Sequence, residues 1–309
     1  MVKAVRIHAY GGPDELRIDD IPKPDAGEGQ VLVRVKAAGL NPVDWKIRSG
    51  ALAEHMPLEL PATLGGDIAG TVEAVGAGVE NFSVGDEVFG FTDTVTGGYA
   101  EYVAVSADRL AQKPPGLDFP IAAAIPIAGL TAYQCVCDHG KVKAGDRVLV
   151  HGSAGGVGSL VAQFAKRQGA FVYGTSSKEN FHFLDRIGVD AKIDYQSQRF
   201  EEVAKDLDVV FDLVGGETGR RSWSCLKPGG LIVSTVGEPD SGAADAEGKR
   251  AASMRMQVDP AELLEIAGLV SDGTVVIAIE GEPRLDEAAE AHRQSEAGHV
   301  RGKIVFRVA

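Results

Sequence analysis

The sequence has few cysteines, and none at the spacing of a disulfide framework or of a four-ligand zinc site. Cys135 and Cys137 lie two apart in an apolar segment, and Cys225 stands alone. Disulfide-rich secreted domains and zinc-binding lobes need several regularly spaced cysteines, so the sequence offers neither. We interpret all three side chains as buried, unreactive thiols.

Basic residues and long apolar runs are also scarce. The chain has 44 Asp and Glu against 31 Lys and Arg, a formal net charge of -13, which disfavours binding to nucleic acid or to an anionic membrane. Lys3 and Arg6 interrupt the first apolar run, and no stretch of about 18 apolar residues follows, so we predict neither a signal peptide nor a membrane span. The sequence therefore predicts a cytoplasmic protein whose partners are small molecules.

Hydrophobic patterning divides the 309 residues into two kinds of structure. From about residue 28 to about residue 110, short alternating runs are separated by Gly and Pro turns, which is typical of an antiparallel β domain. From Arg147 onward, apolar strands alternate with amphipathic helices, the pattern of a parallel α/β sheet. The last strand, from Lys303, resembles the first section. We therefore predict an α/β protein with domains at 1–118 and 119–277 and a return to the first domain at 278–309.

One stretch inside the α/β section has no clear period. Residues Glu238 to Lys249 are rich in Asp, Gly and Ala. Such a composition predicts either a surface loop or a flap near a cofactor, and the sequence does not choose between them.

A glycine cluster follows the first strand of the α/β section and precedes a helix. It reads Ser153-Ala-Gly-Gly-Val-Gly158, so Ser153 stands where the usual G-x-G-x-x-G has its first glycine. Gly155 and Gly156 would let the backbone approach a pyrophosphate, and Gly158 would let the helix pack on the strand. We predict that Ser153, Gly155, Gly156, Val157 and Gly158 bind a dinucleotide.

The next strand ends in hydroxyl and amine groups, with no acid. It reads Gly174-Thr-Ser-Ser-Lys178. A carboxylate there would bind the ribose hydroxyls of NAD and repel a 2′-phosphate, so its absence favours NADPH, with Ser176 and Lys178 as the phosphate contacts. The alternative interpretation is a helix cap followed by a solvated lysine. His151, beside the glycine cluster, is a further candidate for cofactor contact.

Blocks along nearly the whole chain resemble the medium-chain dehydrogenase/reductase superfamily, specifically its quinone oxidoreductase (zeta-crystallin-like) and alkenal reductase branch. The resemblance implies a GroES-like β-barrel catalytic domain, into which a Rossmann doubly wound parallel sheet domain carrying NADPH is inserted, and a homodimer. The matching blocks are Asn41-Pro-Val-Asp-Trp-Lys-Ile-Arg-Ser-Gly50, Leu64 to Gly76, Gly85 to Gly90, Gly98 to Tyr102 and Gly298 to Val305.

The same resemblance implies roles for individual residues. Asn41 and Asp44 would lie near the nicotinamide, Thr131 would approach it from a helix, and Tyr195 would lie by the adenosine phosphate. Plainer alternatives stay open: Asn41 as a turn former, Asp44 as the i,i+4 partner of Arg48, and Thr131 as a satisfied core hydroxyl.

The ligands that hold catalytic zinc in zinc-dependent members of the superfamily have no counterparts. The cysteine region reads Gly39 to Asp44, and the His-Glu pair reads Gly66-Asp67; carboxylates alone would be a poor zinc site. An isolated carbonyl is a difficult hydride acceptor without a Lewis acid, whereas a conjugated one delocalises the charge. The sequence therefore predicts zinc-independent, NADPH-dependent reduction of a quinone or an α,β-unsaturated carbonyl.

Two other functions stay open at this point. One is a catalytically silent NADPH-binding redox sensor or regulator, and the other is a metal-free dehydrogenase for another small carbonyl or an acyl thioester. The sequence does not distinguish a quinone substrate from an enone substrate, and it does not identify the proton donor. Tyr99 and Tyr102 are candidate donors, although their place in an alternating strand favours packing.

Overall fold

The computed structural model describes residues 1–93, 97–239 and 248–308, and these form two compact units. The first comprises Met1–Ile127, Val258–Asp272 and Ile277–Ala309, and the second comprises Ala128–Gln257 and Gly273–Val276. Of the stretch predicted to be a loop or a flap, residues 240–247 lie outside the described residues.

The bounds of the elements are as follows. The strands are β1 (Val2–Ile7), β2 (Arg17–Ile21), β3 (Gln30–Leu40), β4 (Ala62–Thr63), β5 (Asp67–Val75), β6 (Glu87–Phe91), β7 (Tyr102–Ser106), β8 (Leu110–Gln112), β9 (Arg147–Val150), β10 (Phe171–Ser176), β11 (Ala191–Asp194), β12 (Leu207–Asp212), β13 (Leu226–Ser234), β14 (Arg250–Ser253), β15 (Ile279–Gly281) and β16 (Lys303–Arg307). The helices are α1 (Pro42–Arg48), α2 (Phe119–Ala123), α3 (Pro126–Gln134), α4 (Gly156–Arg167), α5 (Phe181–Arg186), α6 (Phe200–Val203), α7 (Gly216–Ser222), α8 (Pro260–Ser271) and α9 (Ala288–Glu296).

The first unit consists mainly of antiparallel sheets. One sheet has the strand order β2-β1-β4, and the other has the order β15-β16-β3-β5-β6-β8, with β7 also paired to β3. The alternating apolar residues of β3, among them Val31, Val33 and Val35, are fully buried and pack in the core with Ile68 and Phe306. β3 therefore lies at the centre of this unit.

The register around β3 brings distant residues together. Gly39 of β3 pairs with Asp67 of β5, and on the other side Leu40 pairs with Ile304 of β16. The end of β3 consequently meets the first residues of β5 and β16. Those residues carry the polar side chains described in the next subsection.

The second unit is a parallel sheet with the strand order β11-β10-β9-β12-β13-β14. Within this sheet the first strand is β9. The next two strands, β10 and β11, lie on one side of it, and β12, β13 and β14 lie on the other side. This arrangement creates a switch point between β9 and β12, and in open α/β sheets ligands bind at the carboxyl ends of the strands there. The glycine cluster follows β9, directly at that point.

The predicted α/β class, with its GroES-like and Rossmann parts, is confirmed. The helix predicted after the glycine cluster is α4, which spans Gly156–Arg167. The last residues of β3, from Ala37, are buried between two neighbouring strands and so lack the alternation that marks a half-buried strand. The predicted domain boundaries stay a prediction.

The three cysteines differ in burial. Cys135 and Cys225 are buried, as predicted, but Cys137 is only half-buried. Burial raises the pKa of the Cys135 thiol to about 12, which keeps it protonated and unreactive at neutral pH. In the described part of the chain, no helix is both long enough and apolar enough to cross a bilayer.

Candidate functional site

A buried polar cluster lies in the first unit where β3, β5 and β16 meet. Asn41 follows β3 and is the N-cap of α1, Asp67 is the first residue of β5, and Lys303 is the first residue of β16. All three residues are buried: Asn41 is 3% exposed, Asp67 0% and Lys303 5%. Buried polar groups of this kind are stable only when they bind one another.

Hydrogen bonds fix the orientation of the Asn41 amide. Its Nδ2 donates to Asp67 Oδ2 at 2.9 Å, and its Oδ1 accepts a hydrogen bond from the ammonium of Lys303. Because the carboxylate selects the NH2 end and the ammonium selects the oxygen, the amide has one orientation. It keeps one N–H for another acceptor.

The ammonium of Lys303 compensates the charge of Asp67. Nζ lies 3.4 Å from Asp67 Oδ2 and also donates to the carbonyl oxygen of Leu40 at 2.9 Å. Asp67 Oδ1 accepts from the backbone N–H of Ile127 at 2.9 Å. Burial raises the pKa of Asp67, and the Lys303 charge opposes that shift. The two residues form a buried ion pair.

Asp44 lies one helical turn into α1 and has an unusual environment. Its Oδ2 accepts from the backbone N–H of Asn41 at 2.8 Å and from the hydroxyl of Tyr99 at 2.7 Å. Its Oδ1 is buried without a partner among the described residues. Burial raises the pKa of Asp44 to about 7, so this carboxyl can gain or lose a proton near neutral pH.

The proposed pairing of Asp44 with Arg48 is not formed. Arg48, although fully buried, donates to Glu296 Oε2 at 2.8 Å and to the carbonyl oxygen of Gly11 at 3.2 Å. The i,i+4 spacing makes such a pair possible, but the carboxylate of Asp44 accepts hydrogen bonds from Tyr99 and from the backbone at the start of α1 instead.

The two candidate tyrosines have different positions. Tyr99 is 0% exposed, contacts Phe306 edge-on and donates to Asp44, and burial raises its pKa well above the ordinary value. Tyr102 is half-buried, with the ammonium of Lys23 over its ring at 4.1 Å. Tyr99 is thus both a packing residue and a member of the polar cluster.

The sequence-based interpretation missed Lys303. Its signal was present: a lysine opens a strand whose next three residues are fully or almost fully buried hydrophobic side chains. A charged residue at such a position needs a buried partner. Over residues 1–93, 97–239 and 248–308, no group of three or more His, Cys, Asp or Glu side chains is placed to hold a metal ion.

The glycine turn of the second unit has the backbone that close approach of a ligand requires. Gly152 has φ +64°, a conformation that favours glycine, and the N-cap of α4 is Gly155, which has no side chain with which to cap the helix. A Cβ on Gly158 would lie 2.2 Å from the carbonyl oxygen of Gly152. The first N–H groups of α4 are thus left for an anion, as a pyrophosphate site requires.

The residues predicted to bind the phosphate of NADPH lie at the ends of β10 and β11. Ser176 pairs with Asp194, and the backbone N–H of Tyr195 donates to the carbonyl oxygen of Ser176 at 3.2 Å. Tyr195 is 53% exposed and Lys178 is exposed. The structure thus brings Ser176 and Tyr195 together, with Lys178 two residues along the chain from Ser176.

Electrostatics at these strand ends bears on cofactor choice. Asp194 is the nearby carboxylate, and hydrogen bonds from Ser197 and Gln196, together with the charge of Lys178, lower its pKa. Of the alternative interpretation, a helix cap followed by a solvated lysine, Ser177 is the N-cap residue of the short helix Lys178–Asn180 but its side chain makes no capping hydrogen bond. Lys178 is exposed near the end of β10.

Thr131 lies in α3 and belongs to the second unit. It is 7% exposed. Its predicted role rests on the resemblance.

Comparisons with known proteins agree with this architecture. Residues 27–115 match the family described as alcohol dehydrogenase GroES-like domain, and residues 187–306 match the family described as zinc-binding dehydrogenase. A 2-methylene-furan-3-one reductase from Solanum lycopersicum is 36% identical over 99% of this chain and 79% of its own. A quinone oxidoreductase from Pseudomonas aeruginosa is 34% identical over 99% of each chain.

Solved structures show the same fold. The quinone oxidoreductase from Coxiella burnetii superposes with a TM-score of 0.95 and 39% identity, covering 100% of this chain and 99% of that one. The Escherichia coli quinone oxidoreductase, solved in complex with NADPH, has a TM-score of 0.90 and 29% identity, with 99% of each chain covered.

Proposed function

Because the chain belongs to the medium-chain dehydrogenase/reductase superfamily, in its quinone oxidoreductase and enone reductase branch, we propose that it transfers hydride from NADPH to a quinone or an α,β-unsaturated carbonyl without a metal ion. Membership of this branch was predicted from the sequence and is confirmed, and the chain is an oxidoreductase of that family acting on a small molecule. The cofactor, the absence of a metal and the residue roles are the proposal.

The glycine turn at the switch point of the second unit carries the proposal. Its uncapped α4 offers N–H groups to a pyrophosphate. Ser153, Gly155, Gly156, Val157 and Gly158 would hold that group, and the E. coli relative with the same fold was solved with NADPH. When bound, the nicotinamide supplies the hydride.

We assign the choice of NADPH over NADH to the ends of β10 and β11. Ser176 and Lys178 would bind the 2′-phosphate, and Tyr195, exposed beside them, would contact the adenosine. The ammonium of Lys178 can form a charge-assisted hydrogen bond to that phosphate, while β10 itself presents no carboxylate to a ribose hydroxyl. The hydroxyl of Ser176 donates to the carbonyl oxygen of Ser177 at 3.0 Å and would turn to the phosphate on binding.

In the first unit, Asn41 would act as a fixed donor. Lys303 and Asp67 hold its amide in one orientation, and its remaining N–H can stabilise the negative charge that develops on the oxygen of the acceptor. A donor that is already oriented costs no reorganisation during the reaction. Asp44, with its pKa of about 7, can hold or release a proton near neutral pH. Thr131 is the third proposed catalytic residue.

The positive charge beside Asp67 supports a metal-free reaction. A divalent cation bound to Asp67 Oδ2 would have to displace the ammonium of Lys303, which lies 3.4 Å from that oxygen. Cation and ammonium would repel each other in this buried environment. A conjugated acceptor suits such a site because it needs hydrogen bonds more than a Lewis acid.

The test is NADPH oxidation by chelator-treated protein with paired quinone and enone substrates, and with NADH alongside. NADPH-selective turnover after chelation supports the proposal, and the preferred acceptor defines the substrate class. Tight NADPH binding without turnover on a broad acceptor panel would support a sensor instead.

We also propose that the protein is a cytoplasmic homodimer. Light scattering after gel filtration would check this as a mass twice the 32.4 kDa of the chain.

A further inference from the structure

His151 is the last residue before the glycine turn, and both of its ring nitrogens are hydrogen bonded. Nδ1 lies 3.2 Å from Thr175 Oγ1, and Nε2 lies 2.9 Å from Ser222 Oγ. The residue is 1% exposed, and Phe200 packs edge-on against its ring with 4.6 Å between the centroids. The histidine therefore joins two segments inside the second unit.

The surroundings of the ring favour its neutral form. A buried imidazolium with no carboxylate in hydrogen-bonding contact would be costly. Burial lowers the pKa of His151 to about 4; the carboxylate of Asp212 opposes this shift, and the guanidinium of Arg221 adds to it. A neutral ring has one N–H donor and one acceptor nitrogen.

Counting hydrogens determines which nitrogen carries the proton. The Ser222 hydroxyl donates to the carbonyl oxygen of Thr218 at 2.7 Å, which uses its single hydrogen. Ser222 must therefore accept from His151 Nε2–H. Nδ1 is then the acceptor, so the Thr175 hydroxyl donates to it. The Thr175 oxygen in turn accepts from the backbone N–H of Gly152 at 3.2 Å.

Thr175 holds the next residue of the turn as well. Its carbonyl oxygen accepts from both the backbone N–H and the hydroxyl of Ser153, each at 3.0 Å. Thr175 of β10 is thus hydrogen bonded to the first two residues of the glycine turn. His151 Nδ1 orients the hydroxyl of Thr175, and His151 Nε2 is hydrogen bonded to Ser222 at the end of α7.

We propose that His151 is a positioning residue for the cofactor-binding turn: as the neutral Nε2–H tautomer it joins Thr175, which holds Gly152 and Ser153, to Ser222 of α7. The inference rests on the proposed binding of NADPH. The opposite end of α7, at Gly216, and its middle, at Gly219, line a cavity of about 210 Å³ together with Asp212 and Ser234 at the ends of β12 and β13. His151 would keep the glycine turn and this helix in a fixed relation.

The first test uses the free protein and does not depend on activity. Long-range proton–nitrogen NMR of 15N-histidine-labelled protein, assigned with His151→Gln, should show His151 protonated at Nε2 and unprotonated at Nδ1. This pattern should stay unchanged between pH 5.5 and pH 8, because burial keeps the pKa of His151 below that range. Protonation at Nδ1, or a charged ring at pH 7, would overturn the inference.

The second test compares matched serine and threonine variants. Ser224→Ala is the control for Ser222→Ala, because both hydroxyls donate to a carbonyl of the preceding turn and only Ser222 contacts His151. Ser222→Ala and Thr175→Val should each raise the Kd for NADPH about tenfold, with kcat at saturating NADPH within about twofold of wild type. Thr175→Ser, which keeps the hydroxyl, should restore the affinity.

The outcomes separate this inference from the proposed function. Equal NADPH affinity in Ser222→Ala and Ser224→Ala, or no rescue by Thr175→Ser, would overturn the role of His151 alone. Failure of the wild-type protein to bind NADPH would refute the proposed function and, with it, the cofactor role of His151. A loss of stability without any change in Kd would show that the contacts are merely structural.

Discussion

The two candidate sites hold their polar groups by opposite physical means. In the first unit, Asn41 is oriented by full charges, the buried carboxylate of Asp67 and the ammonium of Lys303. In the second unit, the glycine turn is held by neutral groups: a hydroxyl, a carbonyl and the uncharged ring of His151. We therefore expect the stability of the first site to depend strongly on its charges and on pH. The second site should instead be sensitive to larger side chains that crowd the turn and to the loss of single hydrogen bonds.

The largest effect should come from removing one member of the buried ion pair. Lys303→Met leaves Asp67 charged and without its counter-ion in the interior, which should destabilise the protein by about 3–5 kcal/mol and abolish turnover. Urea unfolding monitored by fluorescence would measure the loss. Adding Asp67→Asn should recover much of the stability, because the double variant buries no unpaired charge.

Lys23→Met is the matched control, since Lys23 also pairs with a carboxylate, Glu73 at 2.7 Å, but on an exposed surface. Its loss of stability should stay below about 1 kcal/mol, because an exposed ion pair and the contact of Lys23 with the Tyr102 ring contribute little. If Lys303→Met were as stable as Lys23→Met, the buried pair would not be what holds the first site together.

The second effect concerns pH and Asp44. The pKa of Asp44 is raised by burial to about 7 in the folded protein, while an unfolded aspartate has its ordinary value near 3.8. The folded state thus binds the proton more tightly, so the stability from this group is fully present below about pH 4 and is lost as pH rises through about 7. At about 1.4 kcal/mol per pKa unit, the full effect is at most about 4 kcal/mol.

Asp44→Asn should remove this dependence, because an amide resembles the protonated carboxyl and can still accept from Tyr99 and from the Asn41 N–H. The variant should therefore gain stability over the wild type between pH 5 and pH 8 in urea titrations. Parallel stability profiles for the two proteins would mean that Asp44 is ionised throughout, and the contrast between the sites would weaken.

The sequence predicts the second site better than the first for a physical reason. The glycine turn is local: Ser153 to Gly158 adjoin β9, and a strand followed by a glycine cluster and a helix is readable along the chain. In the first site, Lys303 lies 262 residues from Asn41, and only the pairing of β16 with β3 brings them together. Neither periodicity nor spacing encodes that register.

Short spacing could also mislead. Asp44 and Arg48 stand at i,i+4 of α1, yet each binds a distant residue, Tyr99 and Glu296 respectively. His151 adjoins the glycine turn along the chain, and its partners Thr175 and Ser222 depend on the parallel order of β9, β10 and β12. The fold class follows from patterning, whereas these partners follow from tertiary packing.

The third effect tests space in the second site. In Gly158→Ala the new methyl would lie 2.2 Å from the carbonyl oxygen of Gly152, so the turn must move. We expect a loss of about 1–3 kcal/mol in stability and a Kd for NADPH raised more than about tenfold. Gly268→Ala in α8, where nothing lies within 4 Å, should instead stabilise by about 0.5–1 kcal/mol. Thermal unfolding and fluorescence titration with NADPH would measure both, and equal effects of the two variants would contradict the assignment.

The smallest effect should appear at Lys178, which differs from Lys303 because it is exposed and its charge is screened by solvent. If Lys178 binds the 2′-phosphate, Lys178→Ala should lower kcat/KM for NADPH by about five- to tenfold and leave kcat/KM for NADH nearly unchanged, since only NADPH carries that phosphate. Lys227→Ala, which removes another exposed charge of the second unit paired with Asp208, should change neither value. The effect of Lys178→Ala should shrink as ionic strength rises, because a surface ammonium and a phosphate attract each other less in salt. A variant that weakens both cofactors equally would show that Lys178 acts on the shape of the site, and the electrostatic basis for preferring NADPH would then rest on Ser176 and Tyr195 alone.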